Sequence, residues 1–567
     1  MTNKMHNITV RATDQSALAS LQASKLPPLL SQLFASRGLK NADETIATLD
    51  KLLAPNTLKN NAEMAVHLAD AIVQNKQLLV IGDYDADGAT ATAVAVKGLR
   101  QMGAKVGFLV PNRFEYGYGL TPEIVQLAAQ QKPDILITVD NGIASVDGVA
   151  TANALGMQVL VTDHHLPGDT LPDAACIINP NQPECGFSSK SLAGVGVMFY
   201  GLLALRAELR TRGFFADKAE PNLTELLDLV ALGTVADLVK LDANNRILVE
   251  QGLRRMRAGV ACHGVSALLK VAGRDPQKAN AQDLGFYAGP RLNAAGRLDD
   301  MTLGIQCLLS ENAAEAWKIA QQLQALNIER RSIESDMQAE AFADLEAINV
   351  GDQFALCVYQ AHWHQGVIGI LASRLKAKFH RATIVFASAG DGVLKGSGRS
   401  IANFHLRDAL DLVSKRHPSL IQKFGGHAMA AGLTILEHDF VAFEAAFESV
   451  AHELLNPADL DEIIETDGSL NDADMQLETA QMLQAQVWGQ GFAPPLFCDE
   501  FKVQKQTILG EKHLKLTVLK NQMQFQAIFF GQATLVPEHI RAVYALQTNE
   551  FRGDTTLQLQ FSYVESV

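Results

Sequence analysis

Gly82-Asp83-Tyr84-Asp85-Ala86-Asp87-Gly88 sets three carboxylates two residues apart, directly after the apolar run Leu78–Ile81. A buried ionised carboxylate is very costly without a partner. Three of them converging at the end of a buried strand call for cations, and oxygen donors of this kind suit Mg²⁺ or Mn²⁺. The same D-x-D-x-D-G string also begins an EF-hand loop. The position where that loop would carry its Glu is Val94, inside an apolar stretch, so the rest of the loop is absent.

Three further segments repeat the theme. Val139-Asp140-Asn141-Gly142 and Thr162-Asp163-His164-His165 each end an apolar run, and Gly233-Thr234-Val235-Ala236-Asp237 closes an apolar segment. A single Asp in such a place also serves as a turn former or helix cap. An Asp beside two adjacent His residues can supply a metal ligand together with a phosphate contact or proton donor. Three strands that all end in acid or His are hard to explain as caps alone.

The elements that must carry these groups are short apolar runs alternating with helical stretches. Leu78–Ile81, Lys105–Val110, Asp134–Val139 and Gln158–Val161 read as buried strands. Ala89–Gly98, Pro122–Gln130 and Ser145–Leu155 read as helices between them. That alternation implies βαβ units and a parallel sheet, whose ligand site lies at the carboxyl ends of the strands. Glu225–Leu238 reads as a buried helix. Ser310 to Val350 holds neither Gly nor Pro and reads as one long helix or two collinear ones, a connector between domains. A second α/β pattern follows, with Phe354–Tyr359 and Thr383–Phe386 as strands around a helix near Val367–Lys378. Near the end, His513–Leu519, Met523–Phe530 and Leu557–Tyr563 alternate apolar with polar residues, the pattern of a small antiparallel β domain or barrel. The expected organisation is an α/β protein with an N-terminal segment (1–60), a parallel-sheet domain bearing the acid and His motifs (61–240), a helical extension and connector (241–350), a second α/β domain (351–457) and a β domain (458–567).

The 567 residues are 48% hydrophobic and 19% charged, the balance of a packed protein and not of a disordered or fibrous one. With 48 basic against 62 acidic residues the net charge is −14, which excludes a bulk nucleic-acid coat but not a basic groove or a field reversed by metal ions. Neither an apolar leader nor a membrane-length apolar run is visible, and the six cysteines form no C-x-x-C pair; a reducing cytoplasm is the expected location, with no membrane association.

Asp85 with Asp87, then Asp140, then Asp163-His164-His165, then Asp237 resemble, in order, the four motifs of the DHH phosphoesterase superfamily. Leu192-Ala193-Gly194-Val195-Gly196-Val197, Gly289-Pro290-Arg291-Leu292-Asn293-Ala294-Ala295-Gly296-Arg297, Trp363-His364-Gln365-Gly366-Val367-Ile368-Gly369 and Gly425-Gly426-His427-Ala428-Met429-Ala430-Ala431-Gly432 narrow the resemblance to the RecJ family of single-strand-specific exonucleases. The last of these is similar to a DHH-associated domain, which also occurs at the end of alanyl-tRNA synthetases. The resemblance runs from about residue 60 to 455 and makes 61–240 the catalytic domain; the tail, 458–567, matches only in type, as an OB-like β domain.

The resemblance implies a metal-dependent exodeoxyribonuclease holding two ions, Mn²⁺ or Mg²⁺. Asp140 would bridge them, Asp83 and Asp85 would hold one, and Asp87, His164 and Asp237 the other. His165 would contact the scissile phosphate or assist the leaving group, and Asp163 would orient a neighbouring His. Digestion of single-stranded DNA from the 5′ end to 5′-mononucleotides would need a terminal-phosphate pocket, for which Arg113, Arg291, Ser397 and Arg399 are candidates. His427 lies among small residues that allow a strand to approach the backbone. Tyr116, Tyr118 and Phe404 are candidate base platforms. Lys502, Lys505, Lys512, Lys515 and Lys520 give the tail a basic face for a DNA track. The family further implies a monomer in DNA repair and recombination, with single-strand-binding protein and a helicase as partners. Two other readings are a phosphodiesterase for short oligonucleotides or cyclic dinucleotides, and a non-catalytic scaffold; the length of the chain and the intact acid and His motifs weigh against them.

Overall fold

The computed structural model describes residues 7–112, 116, 119–346 and 350–567. Arg113 and Tyr118 lie outside the described residues. The chain divides into two compact units, one of residues 10–325 with 466–567, the other of residues 1–9 with 326–465.

A short strand, β1 (Asn7–Val10), is followed by two helices, Gln15–Gln22 and Pro28–Ala35. The Asp14 carboxylate caps the first by accepting from the N–H groups of Ser16 and Ala17, and Pro28 opens the second. Phe34 anchors this region against Trp488 and Phe492, with ring centroids 5.9 and 6.0 Å away. The N-terminal segment is therefore tied into the first unit by residues more than 400 positions later.

At the centre of that unit is an all-parallel sheet of β2 (Gln77–Ile81), β3 (Lys105–Leu109), β4 (Ile135–Val139), β5 (Gln158–Thr162) and β6 (Cys176–Ile178), in the order β3-β2-β4-β5-β6. β2 to β5 are the four apolar runs read from the sequence; β6, three residues long, is not among them. β4 is wholly buried and the other inner strands nearly so, as a sheet covered by helices on both faces requires. The chain leaves β2 for β3 on one side and returns to β4 on the other. This reversal puts the ends of β2 and β4, and so Asp83–Asp87 and Asp140, at the switch point where open α/β sheets bind ligands. Helices Ala86–Gln101, Gly194–Thr211 and Leu227–Ala236 pack together over the sheet.

A single helix of 34 residues, Ala313–Glu346, carries the chain from the first unit into the second. Its Met337, Ala341 and Leu345 are buried with Leu356, Val367 and Leu371 in a core of the second unit. There β7 (Ala355–Tyr359), β8 (Ala382–Ser388), β9 (Val393–Arg399), β10 (Lys423–Gly426) and β11 (Ala430–Leu436) form a mixed sheet in the order β10-β11-β9-β8-β7, parallel only between β7 and β8. The small-residue stretch from Gly425 to Gly432 is a hairpin edge of this sheet. Phe404 is 2% exposed and its ring meets Phe447 at 5.9 Å, so it belongs to the core and not to a base platform.

After β12 (Ile463–Thr466), which pairs with β1, the tail closes into a five-stranded barrel. Its strands are β13 (Phe497–Leu509), β14 (His513–Lys520), β15 (Met523–Phe530), β16 (His539–Phe551) and β17 (Asp554–Ser566), in the order β13-β14-β15-β17-β16. The basic face read from the sequence needs correction. Lys520 is 8% exposed, its Nζ 2.9 Å from Asp499 Oδ1, and Lys502 pairs with Glu538 at 3.1 Å. Lys505, Lys512 and Lys515 remain exposed, as does Lys502 beside Glu538.

Candidate metal centre

The loop after β2 enters the helix Ala86–Gln101 through Asp85, whose Oδ1 accepts from Gly88 N at 3.0 Å. Asp87, in the first turn and 1% exposed, receives the N–H groups of Gly194 (2.7 Å to Oδ2) and Val195 (3.0 Å to Oδ1) at the start of the helix Gly194–Thr211. Helix N-terminal donors hold this carboxylate in place. Asp140 leaves β4 with φ +62° and donates its backbone N–H to Thr162 O at 3.0 Å. A side chain at Gly194 would collide with its carboxylate, so glycine is required for that helix to come so close.

Asp163, at the end of β5, accepts on Oδ1 from His164 N (2.7 Å) and His165 N (3.1 Å), and on Oδ2 from Ile143 N (2.9 Å). His165 Nδ1 lies 2.7 Å from Asp163 Oδ1. His164 Nε2 points the other way, 3.0 Å from Asp140 Oδ1 and 3.6 Å from Asp237 Oδ2. Asp237 caps the C-terminus of the helix Leu227–Ala236, where the helix dipole disfavours an anion. A cation beside it removes that penalty.

The candidate ligand atoms fall into overlapping groups within 4.8 Å of one another: Asp83 with Asp85 and Asp140, Asp87 with His164 and Asp237, and Asp140 with His164 and His165. Burial, then the neighbouring charges of Asp237 and Asp85, pushes the Asp87 carboxyl well above its ordinary range. Burial and the charges of Asp87, Asp85, Asp83 and Asp237 do the same to Asp140. Asp237 is pushed up to about 7, by burial and then Asp85. Such a set is costly as bare carboxylates, and its oxygen and imidazole donors fit Mn²⁺ or Mg²⁺. Around Asp163 the balance is opposite. Burial would raise its carboxyl, but the hydrogen bond and charge of His165 outweigh it and leave it lowered. Burial would lower His165, and Asp163 overrides this to raise it to about 9.

Sequence reasoning missed the residues that fix these groups. Asn181 Nδ2 donates to His164 O at 2.6 Å, and Asn179 Nδ2 to His165 O at 2.9 Å. Asn293 Oδ1 accepts from Ala86 N at 2.9 Å, and any side chain at Gly296 would collide with the Tyr84 carbonyl. The helix Gly289–Leu298 thus clamps the acidic loop. Asn293 and Gly194 stand in segments already singled out for resemblance, but their contacts are long-range and left no local signal.

The remaining candidates separate by unit. Arg291, 8% exposed, is on that clamping helix and donates through Nη1 to Tyr287 O at 2.5 Å. Ser397 and Arg399 share a face of β9 in the second unit, with Arg399 Nη1 3.2 Å from Ser397 Oγ. The first turn of the helix Ile368–Phe379 packs on both: a Cβ at Gly369 would stand 2.9 Å from Ser397 Oγ and 3.1 Å from Arg399 Nη2. Burial lowers the pKa of the Arg399 guanidinium. His427 lies in the turn between β10 and β11 and donates its backbone N–H to Ala430 O at 2.8 Å. Tyr116 is partly buried against the core beneath the parallel sheet.

A parallel sheet with acidic and His groups gathered at its switch point defines a phosphoesterase of the DHH class. Residues 77–234 match the model of the DHH family N-terminal domain, 351–453 the DHHA1 domain and 466–563 the RecJ OB domain. The chain is 50% identical to the single-stranded-DNA-specific exonuclease RecJ of Salmonella typhimurium, over 97% of this chain and 98% of that protein. Against the protein of the same name from Escherichia coli the figures are 49%, 97% and 98%. Among solved structures, RecJ from Thermus thermophilus in complex with Mn²⁺ superposes with a TM-score of 0.83 at 28% identity, covering all of this chain (100%) and 80% of that one. Its complex with Mg²⁺ gives 0.78 at 26% identity, with 100% and 79% covered. The chain belongs to the RecJ family.

Proposed function

We propose that the protein is a metal-dependent exonuclease that digests single-stranded DNA from the 5′ end and releases 5′-mononucleotides. The observation that carries this is the convergence of Asp83, Asp85, Asp87, Asp140, His164 and Asp237 beside the His165–Asp163 pair. Asp83 and Asp85 would hold one ion and Asp87, His164 and Asp237 a second, with Asp140 between them. Two such ions supply an activated water and neutralise charge on the attacking and leaving oxygens. Asp163 fixes the His165 ring through Nδ1, and His165 would then contact the scissile phosphate or assist the leaving group. Water adds to phosphorus, the bond to the 3′ oxygen of the terminal nucleotide breaks, and the shortened strand carries a new 5′-phosphate.

Ser397 and Arg399, packed against the first turn of a 12-residue helix, are suited to that terminal phosphate, since helix N–H groups and a guanidinium both favour it. Among the described residues no helix is long and apolar enough to cross a membrane. All six cysteines are free thiols, which supports a reducing, cytoplasmic setting. We infer a monomer that acts in DNA repair and recombination beside single-strand-binding protein and a helicase, on the strength of family membership.

The test is a long 5′-phosphorylated strand labelled at either end and incubated with Mn²⁺. A 5′ label should appear at once as mononucleotide while a 3′ label shortens stepwise. Digestion from the 3′ end, or equal attack on a blunt duplex, overturns the reading.

A further inference from the structure

Phe286 is 73% exposed, more than any other large apolar side chain among the described residues of the first unit. It sits on a π-helical turn, Leu284–Ala288, flanked by buried Leu284 and Ala288. Such turns are rare and recur at functional sites. This one is firmly held. Asn280 and Asp283 form a capping box just before it. Arg274 pairs with Asp283 at 2.6 Å and lays its guanidinium over the Tyr287 ring, 4.8 Å from the centroid.

The turn also borders the metal centre on two sides. Gly285 and Gly289 pack against Val235 and Ala236, the residues just before Asp237. The same turn runs directly into the helix that bears Arg291 and that holds the acidic loop through Asn293. Burial favours an aromatic ring, yet here a rigid scaffold presents one to solvent five residues before Arg291 and seven before Asn293.

We propose that Phe286 is a stacking platform for one unpaired base of the strand as it reaches the metal centre. This rests on the exonuclease reading. A single strand offers the face of every base, and stacking on an aromatic ring is indifferent to sequence. A paired base is already stacked on its neighbours, so the platform favours single strands over duplex.

Binding of wild type and F286L to an oligothymidylate is compared without divalent metal, and again with a strand of equal length built of abasic spacers. F286L should bind the oligothymidylate about tenfold more weakly, F286W should restore binding, and wild type and F286L should bind the abasic strand equally. Equal binding of the oligothymidylate, or an equal loss on the abasic strand, overturns the proposal. Digestion of the oligothymidylate by wild type with Mn²⁺ is run in parallel. Its failure removes the exonuclease reading itself, whereas digestion together with unchanged F286L binding removes only the platform.

Discussion

Asn181 donates its side-chain amide to the backbone carbonyl of His164 at 2.6 Å, while its own N–H donates to Asn179 Oδ1 at 2.7 Å. The two asparagines thus form one brace under the His164–His165 step, and the imidazole of His164 inherits its aim at Asp140 and Asp237 from that brace.

Asn181→Ala is therefore expected to lower metal affinity about tenfold or more, the usual cost of losing a group that orients a ligand. Stability should fall by only about 1 kcal/mol, because the residue is half-buried and the bonds are between neutral groups. Calorimetric titration with Mn²⁺ and thermal melts of the metal-free protein measure the two effects separately. A large stability loss with unchanged metal affinity would make the brace purely structural.

Asp140→Asn should abolish nearly all hydrolysis and at the same time stabilise the metal-free protein. Asn accepts the left-handed backbone at this position, so the fold survives. Burial and four neighbouring carboxylates raise the Asp140 pKa above its ordinary 3.8. A carboxyl with a raised folded pKa binds its proton more tightly when folded. Its penalty is absent below the unfolded value and grows as pH rises toward the folded one. The variant should accordingly melt higher than wild type at neutral pH and lose that advantage in acid. Saturating Mn²⁺ should stabilise wild type, by about 2.7 kcal/mol at one hundred times Kd, and the variant much less. Melting curves across pH, with and without Mn²⁺, decide this.

The parallel sheet, the long helix and the barrel were legible because each rests on a strong period: continuous apolar runs, 34 residues of uninterrupted helix, alternation at two. The acids and histidines were legible because they follow those runs immediately. What was not legible depends on partners far along the chain. Asn293 meets Ala86, Phe34 meets Trp488 and Phe492, and a loop aromatic such as Phe404 gives no hint of whether it faces core or solvent. Lys520 is a different kind of miss. Leu514, Leu516 and Val518 point inward, and strict alternation puts Lys520 on the same side. The alternation carries that signal, and the ion pair with Asp499 overrides the preference of a lysine for water.

Arg399→Ala should cost most on substrates with a 5′-phosphate. A charge-assisted hydrogen bond contributes about 1.5–3 kcal/mol, so the preference for phosphorylated over hydroxyl 5′ ends should shrink about tenfold or more. Arg399→Lys should recover only part, since a lysine has one donor head where the guanidinium grips two oxygens. KM values on paired substrates differing only in that phosphate measure the effect. An unchanged ratio removes Arg399 from the pocket.

Lys505 and Lys515 are diagonal neighbours on the outer face of the barrel, opposite Thr517 and Thr507 respectively, with Lys512 in the turn beyond. One row further, Leu509, His513 and Phe530 lie side by side across three strands, and the Phe530 ring meets His513 at 5.2 Å. Exposed cations beside an exposed aromatic are what a single strand needs, one for its phosphates and the other for its bases. Replacing Lys505, Lys512 and Lys515 by Gln should weaken binding of long strands while leaving cleavage of very short ones intact. Three lost phosphate contacts should flatten the salt dependence of log affinity by about 2, at about 0.7 for each contact to a single strand. Lys520→Gln is the contrast. Its ammonium is buried against Asp499, whose other oxygen accepts from the Tyr544 hydroxyl at 2.7 Å. Removing it strands a buried carboxylate and should cost about 3–5 kcal/mol of stability, with the salt slope of the folded fraction unchanged. A salt series of binding isotherms on the triple variant, beside denaturant melts of Lys520→Gln, separates a DNA track from a structural ion pair. If the triple variant keeps the wild-type slope, this face serves protein contacts or solubility instead.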